Sequence, residues 1–184
     1  MRCRILIAIL SIAGLAIAWI VYDFLCRAFA DDEGVLAVLV FAGIVAAAWG
    51  SWQLFAPRAA YLQVGAMLGT IMVANVFFVI IPAHWELIRA KEAGREPDPA
   101  ANFRGKQRSV HNNYLTLPVV FAMLSNHFPF TYGHANGWIA LVALMAIGAL
   151  TRHYFNLRQR GLNVWPILLL AGAGIVATAL VLKP

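Results

Sequence analysis

Long apolar runs alternate with short polar stretches along the chain, and this pattern predicts a bundle of α-helices in a lipid bilayer. A helix needs about 20 apolar residues to cross a hydrocarbon core of about 30 Å. Runs of this length, separated by charge, proline or glycine, predict about six transmembrane helices. They cover about residues 5–25, 35–55, 59–82, 109–127, 137–155 and 164–182, with a polar loop over 84–108.

The composition supports an integral membrane protein. Hydrophobic residues make up 62% of the chain and charged residues 12%, which lies outside the usual range of soluble proteins. Six spans use most of the 184 residues, so we expect a single all-α domain over 1–184. The net charge of +6 comes from basic residues between apolar runs, which favours loops that orient the protein over a nucleic-acid surface.

The distribution of basic residues predicts the orientation. Ten of them fall on the side of loop 84–108 and four on the other side. The positive-inside rule therefore places this loop in the cytoplasm and both termini outside, although Arg2 and Arg4 oppose this locally.

The first apolar run raises the question of a cleaved signal peptide. Residues 27–30, Arg-Ala-Phe-Ala, resemble a signal-peptidase site. The run is longer than a signal-peptide core, and Tyr22 and Asp23 interrupt its end, so a retained helix is the favoured interpretation of residues 1–30.

The fourth run differs from the others because both of its ends are polar. Only residues 115–124 are largely apolar, a length of about 15 Å. Such a helix is stable in a bilayer only if protein covers its ends, so we expect the other helices to surround it. Pro118 removes the backbone hydrogen bond to Tyr114 and predicts a kink.

The predicted topology brings two polar groups to the cytoplasmic end of the bundle. Arginine supplies charge, imidazoles move protons, and amides bind planar heterocycles through paired donors and acceptors. The alternative interpretation is capping of helix ends and contact with lipid headgroups. The residues are His111, Asn112, Asn113 and Tyr114 in one group and Arg152, His153 and Asn156 in the other.

A second polar cluster, Ser125 to His127, ends the fourth run at the outer side, with His134 nearby. His127 lies about 24 Å along the helix from His111, so the two cannot share a ligand. Polar capping, a haem or metal ligand at His127, and a polar exit path remain open. In the third run, Asn75 is expected to bond across a helix interface, and Gly65 and Gly69 permit close helix approach.

Five segments resemble the membrane-bound urate oxidases, or urate hydroxylases, whose membrane part is called the urate oxidase N-terminal domain. The likeness is strongest from about residue 62 to 156. The signature is Lys-Gln-Arg-Ser-Val-His-Asn-Asn-Tyr-Leu-Thr-Leu-Pro at 106–118, followed by Met-Leu-Ser-Asn-His at 123–127. Residues 64–82, 94–99 and 152–156 are similar to other parts of the same family.

The resemblance implies oxidation of urate, or a related purine, to 5-hydroxyisourate, with electrons passed to a cytochrome c. On this basis His111 or His153 accepts a proton and Arg152 complements the urate anion. Asn112, Asn113, Tyr114 and Asn156 complete the substrate site. His127 is the candidate ligand of a b-type haem at the outer electron exit.

Two departures from the family bear on partners. The sequence has no Cys-x-x-Cys-His motif, so a c-type haem is expected only on a separate cytochrome c, outside a bacterial inner membrane where the C-terminus lies. The front helices of the family's membrane domain are expected on a separately encoded segment. The alternatives are a non-catalytic anchor or assembly subunit, a small-solute pathway, or a b-type cytochrome unrelated to urate.

Overall fold

The structure, a computed structural model, describes residues 2–183, with side chains from residue 5 onward. Regular structure in this range is helical and includes no strand, which confirms the all-α fold class. The side chains of Arg2 and Arg4, used in the charge count, lie outside the described set. The helices are α1 (Arg2–Ala28), α2 (Glu33–Leu54), α3 (Pro57–Asn75), α4 (Ile81–Glu92), α5 (Pro99–Leu124), α6 (Pro129–Tyr132), α7 (Gly137–Gln159) and α8 (Pro166–Val181).

Four helical segments of the described chain are long and apolar enough to cross a membrane: Ile5–Ala28, Glu33–Leu54, Pro57–Glu92 and Gly137–Gln159. Two predicted spans fall outside this group. The first half of α5 is polar, and α8 has only 16 residues. The number of crossings therefore stays a prediction.

The connection predicted over 84–108 is mostly helical. A π-helical turn, Val76–Ile80, joins α3 to α4, and together they form one continuous helix of 36 residues. Pro82 has no N–H, so the carbonyl of Phe78 cannot accept the usual α-helical bond, which favours the wider turn here.

Helix α5 also begins earlier than the sequence predicted, at Pro99, within the segment predicted as a polar loop. Proline is favoured at the first helical position because its missing N–H would be unpaired there in any case. The Asp98 carboxylate caps the helix by accepting from the Ala100 N–H at 2.9 Å. Only residues 93–98 separate α4 from α5.

Helix α5 packs against α3, α4 and α7, in agreement with the expectation that other helices surround it. Gly65 of α3 permits a close approach, since a Cβ there would lie 2.6 Å from the Cβ of Ala122. Gly69 faces open space instead. Helix α5 continues through Pro118 as a single helix, beside Gly148 of α7.

The outer faces of the bundle are apolar. Ile12 on α1, Val38 on α2 and Val181 on α8 are 68%, 68% and 70% exposed. Such surfaces suit contact with lipid chains and would be unfavourable in water.

Candidate functional site

A cavity of about 490 Å³ lies where α1, α2, α5 and α7 meet, and we call it the histidine cavity. Its volume lies within the range of small-molecule sites. Its walls are mainly aliphatic, from α2 and from Leu115 of α5. Polar groups enter from all four helices: Tyr22, Glu33, His111, Tyr114 and His153.

The imidazole of His111 is held by two side chains of α1. Its Nδ1 lies 2.8 Å from the hydroxyl of Tyr22 on α1, and the Cys26 thiol lies 3.9 Å from the same nitrogen. The Tyr22 hydroxyl accepts a hydrogen bond from Asn75 Nδ2 at 3.1 Å. Because the Tyr22 oxygen already accepts from Asn75, its O–H is available to donate to Nδ1 of His111. The ring proton of His111 is then on Nε2.

A second tyrosine–histidine pair faces the same cavity. The Tyr114 hydroxyl lies 2.7 Å from Nδ1 of His153, and the two rings stack with centroids 5.9 Å apart. Within the described residues, neither His111 nor His153 has a hydrogen-bond partner at Nε2. Both imidazoles are therefore oriented through Nδ1, which leaves Nε2 as the atom able to meet a ligand.

Asn112 belongs to a buried network rather than to the cavity wall. Its Oδ1 accepts from Asn75 Nδ2 at 2.9 Å, and its Nδ2 donates to the Met72 carbonyl at 3.0 Å. Asn75 is fully buried and bonds across the helix interface as predicted. This network joins α5 to α3 behind the His111 side chain.

Asn113, Arg152 and Asn156 form a third group, between α5 and α7. Arg152 Nη2 donates to Asn113 Oδ1 at 2.6 Å. Arg152 Nε and Asn156 Nδ2 are buried without a partner in the described part of the chain. None of the three is among the residues that line the histidine cavity. The structure thus joins His111, Tyr114 and His153 and separates them from the predicted cation.

The structure adds Tyr22, Asp23 and Arg108, which the sequence reasoning did not place in the site. Arg108 was counted as a loop charge, yet its side chain is only 3% exposed. Its Nη2 donates to the Asp23 carboxylate at 2.8 Å, and its Cζ lies 4.9 Å from the centre of the Tyr22 ring. Its position three residues before His111, on the same helix face, was the signal that could have found it.

A 3₁₀ turn, Ser125–His127, follows the other end of α5. Arg58 Nε donates to Asn126 Oδ1 at 2.7 Å, and Ser125 Oγ donates to the Ala122 carbonyl at 2.6 Å. The His127 ring is exposed, and His134 Nδ1 accepts from the Asn136 N–H at 3.1 Å.

A b-type haem at His127 does not fit the residues of this chain. A haem site needs an axial ligand within walls that enclose the porphyrin, whereas His127 lies on an exposed turn. Residues 5–183 also contain no group of three or more His, Cys, Asp or Glu side chains placed to hold a metal ion. His127 as a cofactor ligand therefore stays a prediction that requires cover from a partner.

Comparison with protein families matches residues 3–183 to the model described as urate oxidase N-terminal. Comparison with curated proteins and with solved structures gives no match.

Proposed function

The chain belongs to the urate oxidase N-terminal family, and from this premise we propose that it is the membrane part of a urate-oxidising complex that passes electrons to a cytochrome c. The observation that carries the proposal is the histidine cavity. Two imidazoles line this space of about 490 Å³, and each is bonded at Nδ1 to a tyrosine hydroxyl and has no partner at Nε2 among the described residues.

The reaction defines what the site must do. The urate anion and water give the 5-hydroxyisourate anion, two protons and two electrons, and two ferric haems of cytochrome c take up the electrons. The protein must therefore bind a planar anion, accept protons from urate and from the attacking water, and exclude competing solvent.

The two histidines suit different steps. His111 carries its proton on Nε2, so it donates a hydrogen bond to an oxygen or nitrogen of the anion. His153 is free to take the other tautomer, since Tyr114 is able to accept from its Nδ1–H. Its Nε2 then acts as the proton acceptor.

Positive charge lies behind His111 rather than beside the substrate. The Arg108 guanidinium stacks on the Tyr22 ring, and Arg27 pairs with the same carboxylate as Arg108, Asp23, at 2.7 Å. Two guanidiniums against one carboxylate leave this cluster with a net charge of +1. In a cavity of low dielectric constant that charge favours an anion, and the Glu33 carboxylate, which also lines the histidine cavity, opposes it.

We place the protein in a bacterial inner membrane, with the His111 end and the α4–α5 connection in the cytoplasm and the C-terminus outside. The excess of basic residues at the His111 end supports this orientation. A cytochrome c on the outer side would then meet the end that carries His127.

The test is reconstitution of the chain with its front membrane segment and a cytochrome c, followed by urate-dependent cytochrome reduction. His153→Ala is expected to lower the rate at least 100-fold, as for loss of a general base. His84→Ala is the matched control, because His84 is exposed on α4. Full activity in a His111→Ala/His153→Ala double variant would exclude the histidine cavity as the site.

Arg152 gives a second, separate readout. If its guanidinium reaches the substrate, Arg152→Ala raises KM. If it only ties α7 to α5 through Asn113, the variant loses stability and keeps its KM. The geometry favours the second outcome, since Arg152 does not line the cavity.

A non-catalytic anchor, assembly or solute-pathway subunit is the second candidate function. The mainly aliphatic cavity wall and the distance of Arg152 from it favour this candidate. It predicts full urate oxidation by the partner segments when this chain is left out. An absorption spectrum of the purified chain tests the b-type cytochrome, which requires a Soret band.

A further inference from the structure

A second cavity, of about 350 Å³, lies between α1, the π-helical turn and the first half of α5, and we call it the basic cavity. Arg27, Arg104 and Arg108 line it together with Asp23. Phe78 and Pro82 form its apolar side. It lies on the other side of the Tyr22–Arg108 contact from the histidine cavity.

The positive charges that line the basic cavity outnumber the negative ones. Three guanidiniums against one carboxylate give a net charge of +2. Arg104 and Arg108 are four residues apart on α5, where like charges repel. Arg108 is buried, with only 3% of its surface exposed, and its Nε and Nη1 have no hydrogen-bond partner among the described residues. Buried charged donors without acceptors are costly, so the cavity favours an anion.

An apolar groove continues from the basic cavity along the outer face of α3. Phe78 lines both, and the groove of about 660 Å³ extends past Phe77, Val73 and Gly69 to Ala66. Residues 66–78 span about 18 Å of helix, close to the roughly 15 Å depth of one leaflet's hydrocarbon. Gly69 leaves the groove open, because nothing lies within 4 Å of the place a Cβ would take.

We propose that the basic cavity and this groove together bind one anionic phospholipid. Its phosphate lies among Arg27, Arg104 and Arg108, and one acyl chain lies along α3 against Gly69 and Phe78. Basic pockets between transmembrane helices at the headgroup level commonly hold anionic lipid. The site shares no lining residue with the histidine cavity. It shares Arg27, Asp23 and Arg108 with the charged cluster behind His111, but it does not depend on the function proposed for that cavity.

Native mass spectrometry of the full chain in neutral detergent tests the site, with titration of phosphatidylglycerol or phosphatidylcholine of the same acyl chains. We expect phosphatidylglycerol to bind at least tenfold more tightly. Arg104→Gln should weaken phosphatidylglycerol about fivefold, at about 1 kcal/mol per basic residue, and leave phosphatidylcholine unchanged. Lys91→Gln is the charge-matched control on exposed α4 surface.

Gly69→Leu tests the groove, and it should weaken both lipids at least threefold by filling the space of the acyl chain. Gly172→Leu on α8 is its control, since Gly172 also has nothing within 4 Å. Equal affinity for the two lipids, or equal effects of Arg104→Gln and Lys91→Gln, would overturn the proposal. The thermal stability of the chain distinguishes a lipid from a free anion. The proposal would also be overturned if inorganic phosphate at millimolar concentration replaced phosphatidylglycerol in stabilising the chain, because the site would then hold a free anion.

Discussion

The ion pair between Asp23 and Arg108 gives the sharpest test of the packing at the His111 end. Asp23 pairs with two cations, Arg27 at 2.7 Å and Arg108 at 2.8 Å. Arg108, in contrast, pairs with one carboxylate in the described residues, that of Asp23. The side chains of Arg108 and Asp23 are 3% and 11% exposed, and that of Arg27 is 73% exposed. Substitution of Asp23 and substitution of Arg108 should therefore change the free energy of unfolding by different amounts.

Asp23→Asn leaves the Arg108 guanidinium buried and uncompensated, which typically costs about 3–5 kcal/mol. Arg108→Met leaves Asp23 paired with Arg27 and replaces the charge by an apolar chain, so we expect a cost of about 1–2 kcal/mol. Arg27→Met removes only an exposed partner and should cost about 0–1 kcal/mol. The Asp23→Asn/Arg108→Met double variant should recover most of the loss of Asp23→Asn.

Equilibrium unfolding of the purified chain in mixed micelles, with sodium dodecyl sulfate as the denaturant, measures these free energies. Helix content by circular dichroism and tryptophan fluorescence should report one transition for each variant. The reasoning is refuted if Asp23→Asn costs no more than Arg27→Met, or if the double variant is as unstable as Asp23→Asn. Either result would mean that water or detergent headgroups solvate Arg108 in the micelle, in place of Asp23.

Three further predictions follow from single contacts. Gly65→Ala should destabilise the bundle by about 1–2 kcal/mol, because its Cβ would lie 2.6 Å from that of Ala122, whereas Gly69→Ala should stabilise it by about 0.5–1 kcal/mol, as measured in the same unfolding assay. Tyr61→Phe removes a hydroxyl that donates to the Gly137 carbonyl at 2.7 Å and should cost about 1 kcal/mol, with no change in urate oxidation. Tyr22→Phe releases Nδ1 of His111, whose Nε2–H is proposed to donate to the anion, and in the reconstituted complex it should raise KM about tenfold; an unaltered KM would exclude its positioning role.

Much of the fold was readable from the apolar pattern. The runs predicted helices, and each run lies on a helix of the structure, although the third helix continues to Glu92 and the fourth begins at Pro99. The connection between the third and fourth runs was harder to predict, because proline signals both an extended chain and a helix start. Pro82 and Pro99 each lie at the start of a helix, so residues read as loop continue α3 or begin α5.

The candidate site was only partly predictable, and charged residues account for most of the difference. The sequence alone predicts that Arg108 is a loop charge, because it closely follows Arg104 and Lys106. Its burial depends on Asp23, which lies 85 residues earlier on another helix. No spacing in the sequence reports that pairing.

The sequence by itself determined the all-α fold class, the family, and the need for protein to cover the polar first turn of the 109–127 run. The tertiary structure decided what that turn does. Successive residues of an α-helix point about 100° apart, so three adjacent polar side chains cannot share one site. His111 meets Tyr22 on α1, Asn112 meets Asn75 on α3, and Asn113 meets Arg152 on α7. Only the placement of those three helices around α5 decides that His111, and not Asn112 or Asn113, lines the cavity.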